Sequence, residues 1–210
     1  RNWSGTEFSV RIDRAISLLP PAKVAAALDT VVPAGVDLVA FATDNTLANT
    51  GAQAWRRETG LLSIWILGMF KPSPTATVVI PFRAGPDAEL GEKVNDRYFG
   101  AVPSERLVVK DDVLFFRGDG RYRSKIGISP RRCVPRCGSY DQARNLLTIV
   151  QFNLPANATE YVNSMWEQQA QPFAGDVINS YNDGPPAPGK PPLGPFYELE
   201  TSSPALALQP

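Results

Sequence analysis

Short stretches of alternating or continuous apolar residues recur along the chain, and most of them are bounded by Pro, Gly, Asn or Asp. β-Branched and aromatic residues are common in these stretches, which is typical of strands in a pleated sheet. The stretches that predict strands are residues 8–12, 36–43, 61–70, 75–82, 107–110, 113–117, 146–152, 160–166 and 196–200. Many short strands joined by tight turns predict an all-β chain.

The connections between these stretches refine the prediction. Asp111-Asp112 separates two apolar stretches and predicts a hairpin turn. Residues 61–70 and 75–82 are interpreted as neighbouring strands joined by a Pro-rich link. One Ala-rich window, residues 21–28, begins with Pro and predicts a short helix. The Pro-rich residues 184–195 are interpreted as a long loop, so we expect a single domain over residues 1–210.

Charge and length exclude several classes of partner. The 210 residues include 21 basic and 21 acidic side chains, so the formal net charge is zero and nucleic acid is not an expected partner. The longest apolar run, residues 61–70, is about half the length of a membrane-spanning helix, so we expect no membrane span. Because the chain begins at Arg1, we expect a processed or trimmed product, and a periplasmic or secreted location is favoured over a cytoplasmic one.

The chain has no His, and this removes much of enzyme chemistry. Ser-His-Asp triads, Cys-His dyads and His metal clusters are excluded, and no phosphate-binding or dinucleotide-binding glycine motif is present. With only two Cys, Cys133 and Cys137, a structural zinc site is not expected, and we expect no metal and no cofactor. The two Cys either close a small disulfide loop or remain as free thiols.

Carboxylates, amides and aromatic rings cluster near turns late in the chain, between residues 175 and 203. Sugars suit such groups, because their hydroxyls donate and accept hydrogen bonds and their C–H faces stack on aromatic rings. Candidates for stacking are Trp55, Trp65, Trp166, Tyr181 and Tyr197. Candidates for hydroxyl contacts are Arg83, Lys125, Asn182 and Asp183. These groups predict a carbohydrate-binding cleft.

Structural interpretations compete with several of these candidates. Trp65 lies in an apolar run and is interpreted as core, and Trp166 has the same interpretation. Asn182-Asp183 precedes Gly184 and is also typical of a turn. The Arg131-Arg132 pair is interpreted as solvated.

Glu198 and Glu200 alternate around Leu199, so a strand would place both carboxylates on one face, about 7 Å apart. Paired acids of this kind can separate in pKa and supply one base and one acid. Two exposed charges, or a site for a cation with oxygen ligands, fit the spacing equally.

The Leu199-Glu200-Thr201 triplet resembles the late strand of galactose mutarotase-like (aldose 1-epimerase-like) proteins, where Leu-Glu-Thr carries the catalytic base. The segments "TDNTLANTGAQAW", "GLLSIWILGMF", "KIGISP" and "GDVINSYNDGPP" resemble a bacterial branch of the same superfamily. The resemblance implies an antiparallel β-supersandwich with few short helices. It also implies that Glu200 is the general base. Beside it, we expect Lys125, Tyr181, Asn182, Asp183 and Glu198 to bind the substrate, with Glu198, Lys125 or Asp183 either orienting the sugar or supplying a proton.

Two departures from that family shape the functional hypothesis. Aldose epimerases use a His as general acid, and this chain has none; the chain also stops where closing strands are expected, so we expect truncation at both ends. The first hypothesis is a carbohydrate-binding or carbohydrate-active domain, with a monosaccharide or glycan as partner. The alternatives are a non-catalytic sugar-binding or structural module of a polysaccharide-processing protein, and an accessory domain of a lyase or glycosidase.

Overall fold

The structure is a computed structural model that describes residues 1–165 and 167–210. These residues form two compact units, one of Arg1–Gly60 with Ala207–Pro210 and the other of Leu61–Leu206. Trp166, a stacking candidate in the predicted strand 160–166, lies outside the described residues. The expectation of a single domain over residues 1–210 stays a prediction.

The smaller unit contains an antiparallel hairpin and one helix. Strand β1 (Val10–Leu18) pairs along its whole length with β2 (Phe41–Asn49). Between them, helix α1 (Pro21–Leu28) begins with Pro in its first turn, where the missing N–H is not needed. The helix ends at Asp29, whose φ of 49° places it in the left-handed region that terminates helices.

The larger unit contains two antiparallel sheets. The four-stranded sheet has the order β3 (Trp65–Phe70), β11 (Tyr197–Ser202), β10 (Ile178–Asn182) and β7 (Ser124–Ile128). The five-stranded sheet has the order β5 (Leu107–Lys110), β6 (Val113–Arg117), β4 (Ala76–Pro81), β8 (Arg136–Asp141) and β9 (Leu146–Gln151). A short helix, α2 (Asp87–Leu90), follows β4.

One hydrophobic core joins the two sheets of the larger unit into a β-sandwich. Alternate residues of β4 and β6 point inward, and Val78, Ile80, Leu114 and Phe116 are fully buried. The four-stranded sheet contributes residues of the same core cluster, namely Ile126, Ile128, Ile178, Tyr197 and Leu199. Burying these apolar side chains supplies about 1.5–3 kcal/mol each, so the core fixes which face of each strand points outward.

The all-β prediction is confirmed, because the described residues hold eleven strands, all in antiparallel sheets, and two short helices. The helix prediction for residues 21–28 and the hairpin around Asp111-Asp112 agree with α1 and with the β5–β6 pair. The prediction of neighbouring strands at 61–70 and 75–82 is wrong, because β3 and β4 belong to different sheets. Residues 160–165 are also not a strand, since only Tyr161 forms an isolated bridge there.

The two cysteines are free thiols, so the disulfide alternative is not realised. Both belong to the hydrophobic core cluster and are buried. Burial raises the pKa of each thiol to about 12, which suppresses the reactive thiolate. Cys133 and Cys137 therefore act as small apolar core residues.

Arg132 corrects the interpretation of Arg131-Arg132 as a solvated pair. Its side chain is fully buried, and its guanidinium donates to the carbonyl oxygens of Arg83, Gly85 and Gly91 and to the carboxylate of Asp87. A buried charge is tolerated when its donors are satisfied, and Arg132 thereby holds residues 83–91 against the sandwich.

Candidate functional site

The four-stranded sheet carries polar side chains on the face turned away from the core, which we call the outer face. In β11, Tyr197 and Leu199 point into the core, so Glu198 and Glu200 point outward. Strand register extends this face across the sheet, because Glu200 lies opposite both Asn179 and Leu67. The outer face carries Trp65, Leu67, Met69, Lys125, Gly127, Asn179, Tyr181, Glu198 and Glu200.

A buried ion pair lies at the centre of the outer face. The Lys125 Nζ donates to Glu200 Oε2 at 2.9 Å, and both side chains are almost completely buried. The Trp65 indole Nε1 donates to the same oxygen at 3.0 Å. The other oxygen, Oε1, is buried and has no hydrogen-bond partner within residues 1–165 and 167–210. The pair thus holds the carboxylate in place and leaves one oxygen available as an acceptor.

Glu198 lies beside this pair on the same strand and face. Burial raises the pKa of its carboxyl to about 7, the negative charge of Glu200 adds to the rise, and Lys125 opposes it. At neutral pH, Glu198 is therefore poised between an acid that can donate a proton and a carboxylate that can accept one.

We expect Glu198 to make the stability of the fold depend on pH. Its folded pKa of about 7 exceeds the ordinary unfolded value of about 4.3, so its protonated form favours folding. This contribution is fully present below about pH 4 and is lost as the pH rises through 7, which lowers the free energy of unfolding by about 2–4 kcal/mol. Urea denaturation at a series of pH values measures the loss.

The Glu198→Gln variant should lose this part of the pH dependence. The exposed Glu105 on the opposite side of the sandwich offers a matched control, and Glu105→Gln should keep the wild-type slope. An unchanged slope between pH 5 and 8 in Glu198→Gln would show that the carboxyl is ionised throughout this range.

A second polar cluster covers the β7 side of the outer face. The Asp176 carboxylate accepts from the Tyr98 hydroxyl at 2.7 Å and from the Asn95 Nδ2 at 3.0 Å. Asn179 Nδ2 donates to the Tyr98 hydroxyl at 2.9 Å. Burial raises the pKa of Asp176, although its two donors oppose the rise. The cluster ties residues 95–98 to the sheet.

Gly127 makes room for this cluster. A Cβ at this position would lie 2.0 Å from Asp176 Oδ2 and 2.8 Å from Asn179 Nδ2, so no larger residue fits. Asn95 pairs with Gly127 through two backbone hydrogen bonds and brings Tyr98 over the sheet. The Tyr98 ring centre then lies 5.2 Å from Lys125 Nζ, which places an aromatic face beside the charged centre.

The three residues of the 181–183 segment occupy different positions. Tyr181 lies on the outer face opposite Lys125, and its hydroxyl donates to Asp183 Oδ1 at 2.7 Å. Asp183 is fully buried and also accepts from the Gly194 amide at 2.7 Å. Asn182 points to the other face, where it accepts from the Gly120 amide and donates to the Tyr122 carbonyl. Asn182 and Asp183 therefore hold the 119–122 and 194 loops.

The structure brings together Lys125, Glu198 and Glu200, with Tyr181 on the same face. Trp65 joins them, and its interpretation as core is wrong, because its side chain is half exposed over Glu200. The stacking candidate Tyr197 is a core residue instead, and Trp55 is buried in the smaller unit. Arg83 contributes its backbone carbonyl to Arg132.

Sequence reasoning missed Asn95, Tyr98 and Asn179. Asn95 and Tyr98 lie in a segment without strand periodicity, and only the fold places them over the sheet. Asn179 offered a usable signal, because it alternates with Tyr181 in the same way that Glu198 alternates with Glu200.

Two surface cavities lie away from Glu200. One, of about 330 Å³, lies on the five-stranded sheet and is lined by residues such as Thr77, Arg106 and Phe115. The other, of about 490 Å³, is lined by Phe99, Arg121, Tyr122, Arg123 and residues 185–188. Phe99 packs edge-on against Tyr181 at 5.8 Å between ring centres, so the second cavity adjoins the outer face.

The described residues contain neither a cluster of metal-ligating side chains nor a membrane-spanning helix. Among residues 1–165 and 167–210, no group of three or more Cys, Asp or Glu side chains converges in a way that could hold a metal ion. Within the same ranges, neither helix is long and apolar enough to cross a membrane.

Comparison with known proteins places the chain in a family. No curated protein matches the sequence, and no solved structure matches it. One family profile matches, and it covers residues 1–210, the whole of the chain. The chain therefore belongs to the family described as a family of unknown function (DUF6786).

Proposed function

We propose that the outer face binds carbohydrate, in a β-supersandwich of the galactose mutarotase-like type, and that Glu200 is its general base. The observation that carries the proposal is the buried Lys125–Glu200 pair beside a second carboxyl, Glu198, under a half-exposed Trp65. Charged groups held in a nearly dry site hydrogen-bond strongly to hydroxyls, and an exposed indole offers a stacking surface for a sugar ring.

The two carboxyl groups can divide the proton transfers of an anomer exchange. Glu200 Oε1 accepts the proton of the anomeric hydroxyl, and protonated Glu198 donates its proton to the ring oxygen as the ring bond breaks. The ring then closes on the other face of the carbonyl, with both protons returned. Glu198 thus supplies the acid that a chain without His otherwise lacks, and each positioned group contributes about 10²–10⁴-fold.

The other predicted contacts fall into direct and supporting roles. Lys125 and Tyr181 share the outer face with the carboxyl pair and orient the sugar. Asn182 and Asp183 act by holding the loops around Tyr181, because their polar atoms bond to the protein. This division follows from their burial, since a fully buried side chain with satisfied hydrogen bonds contributes little to a ligand directly.

A non-catalytic sugar-binding module is the second candidate, and one observation favours it. Glu200 is fully buried, and Trp65 and Lys125 both hold its Oε2. A base in this position requires Trp65 to move before it reaches a sugar. A binding module requires only the exposed surface of Trp65, with Glu198 at its side.

Exchange spectroscopy of glucose and galactose anomers by NMR tests the proposal and separates the two candidates. We expect the wild-type protein to accelerate exchange above buffer by at least about tenfold, and Glu200→Gln to return it to the buffer rate. Glu105→Gln is the matched control and should exchange sugars at the wild-type rate. Saturable sugar binding without exchange would select the module, and absence of both would refute the proposal.

A further inference from the structure

We propose that the cavity beside the outer face selects sugars that carry an anionic group, such as the carboxylate of a uronic acid or a sulfate ester. This inference rests on the proposed function and names its substrate class. The cavity has a volume of about 490 Å³, within the range of about 300–1,000 Å³ that is usual for small-molecule sites. Two arginines, Arg121 and Arg123, are among its lining residues.

These arginines continue a row of positive side chains that leads to the carboxyl pair. Arg123 directly precedes β7, whose second residue is Lys125. Residues two apart in extended chain share a face at a spacing of about 7 Å. Arg123 therefore lies next to Lys125 on the path from Glu200 to the cavity. A sugar on the outer face can direct a substituent toward Arg123.

The guanidinium groups of Arg121 and Arg123 are not neutralised by an ion pair within the described residues, so they can bind an anionic ligand. No carboxylate forms an ion pair with Arg121 or Arg123 within the described ranges 1–165 and 167–210. Of the nearby acids, Asp119 is held by Arg106, and Asp183 is held by the Tyr181 hydroxyl and the Gly194 amide. Arg121 and Arg123 therefore place two positive charges at the cavity, although the net charge of the chain is zero.

Stacking orients one of the two arginines. The Arg123 guanidinium carbon lies 4.0 Å from the centre of the Phe99 ring, and Phe99 packs against Tyr181. A guanidinium that contacts the face of an aromatic ring has less freedom to turn, and its planar N–H groups match the two oxygens of a carboxylate or two oxygens of a sulfate. Arg123 is therefore preorganised for an anion beside the proposed sugar site.

Titration calorimetry with matched sugars tests this inference. The probes are glucose and galactose, the corresponding glucuronate and galacturonate, and glucose 6-sulfate. We expect the anionic sugars to bind at least about tenfold more tightly than the neutral ones at low salt, and the preference to shrink as salt is added. Comparing glucose 6-sulfate with the uronates shows whether the site requires a planar carboxylate or accepts a tetrahedral anion as well.

The double variant Arg121→Gln/Arg123→Gln should lose the preference for anions and keep the affinity for neutral sugars. Arg123→Lys keeps the positive charge but lacks the planar guanidinium that can donate two parallel hydrogen bonds. It should therefore retain part of the preference for anionic sugars. The control Lys110→Gln/Arg136→Gln removes two positive charges from the five-stranded sheet and should behave as wild type. Thermal melts verify that each variant is folded.

The outcomes separate the two proposals. The inference is overturned if neutral and anionic sugars bind equally, or if the double variant still prefers anionic sugars. Either result is compatible with the proposed carbohydrate site. Failure of every sugar to bind refutes both. If the preference for anionic sugars is lost in the arginine double variant and kept in the control, both the carbohydrate site and its preference for anions are supported.

Discussion

Replacing Arg132 with Met should lower the free energy of unfolding by about 3–5 kcal/mol, one of the two largest losses that we expect from a single substitution. The guanidinium is fully buried and donates to the carbonyl oxygens of Arg83, Gly85 and Gly91. Met fills a similar volume but leaves these carbonyl oxygens without donors. Each oxygen that stays buried without a hydrogen bond lowers the free energy of unfolding by about 1–3 kcal/mol. Urea denaturation followed by tryptophan fluorescence measures the loss.

The neighbouring Arg131 provides a control one residue away. Its side chain is exposed, and its Nη1 donates to the Glu89 carbonyl oxygen at 3.3 Å. Arg131→Met should therefore change stability by less than about 0.5 kcal/mol. Equal effects of the two substitutions would show that Arg132 does not hold residues 83–91 in the way described.

Replacing Lys125 with Met should cost about 3–5 kcal/mol at pH 7, because it leaves the buried carboxylate of Glu200 without its counter-ion. The double variant Lys125→Met/Glu200→Gln removes both charges and should be more stable than Lys125→Met alone. Chemical denaturation of the four proteins in this cycle gives the coupling energy directly.

The exposed pair Arg97–Glu92 is the matched control for this cycle. Its closest contacts are 2.6 Å, shorter than those of Lys125 with Glu200, yet its side chains are about half exposed. Arg97→Met should cost less than about 1 kcal/mol, because solvent screens the exposed pair. Additive effects of the Lys125 and Glu200 substitutions would contradict the buried ion pair.

Strands with one buried and one solvated face were largely predictable; of the strands buried on both faces, β11 was predicted and β7 and β10 were not. The hairpin of β5 and β6 follows from its apolar stretches and from Asp111-Asp112 between them. Strands β7 and β10 were missed because their outer faces carry Lys125, Asn179 and Tyr181 under cover of other residues. Polar residues that alternate with apolar ones indicate a strand with one solvated face, so the pattern gave no sign that the outer faces of these strands are buried.

The candidate site was predictable in its residue types and only partly in its contacts. The alternation of Glu198 and Glu200 places both on one face, and the structure retains that arrangement. The pairing of Glu200 with Lys125 joins residues 75 positions apart, and the approach of Tyr98 depends on a bridge between Asn95 and Gly127. Such contacts arise from sheet register, which one sequence does not reveal.

The central claim is that a sugar binds on the outer face, against Trp65 and the carboxyl pair. The most direct measurement follows the indole N–H resonances in a ¹H–¹⁵N NMR spectrum, assigned with Trp65→Phe, during titration with galactose and galacturonate. We expect the Trp65 resonance to shift saturably, because its Nε1 donates to Glu200 at 3.0 Å, while the resonance of Trp55 in the smaller unit stays fixed. A Trp65 resonance that does not move while either sugar reaches saturating concentrations would contradict the account.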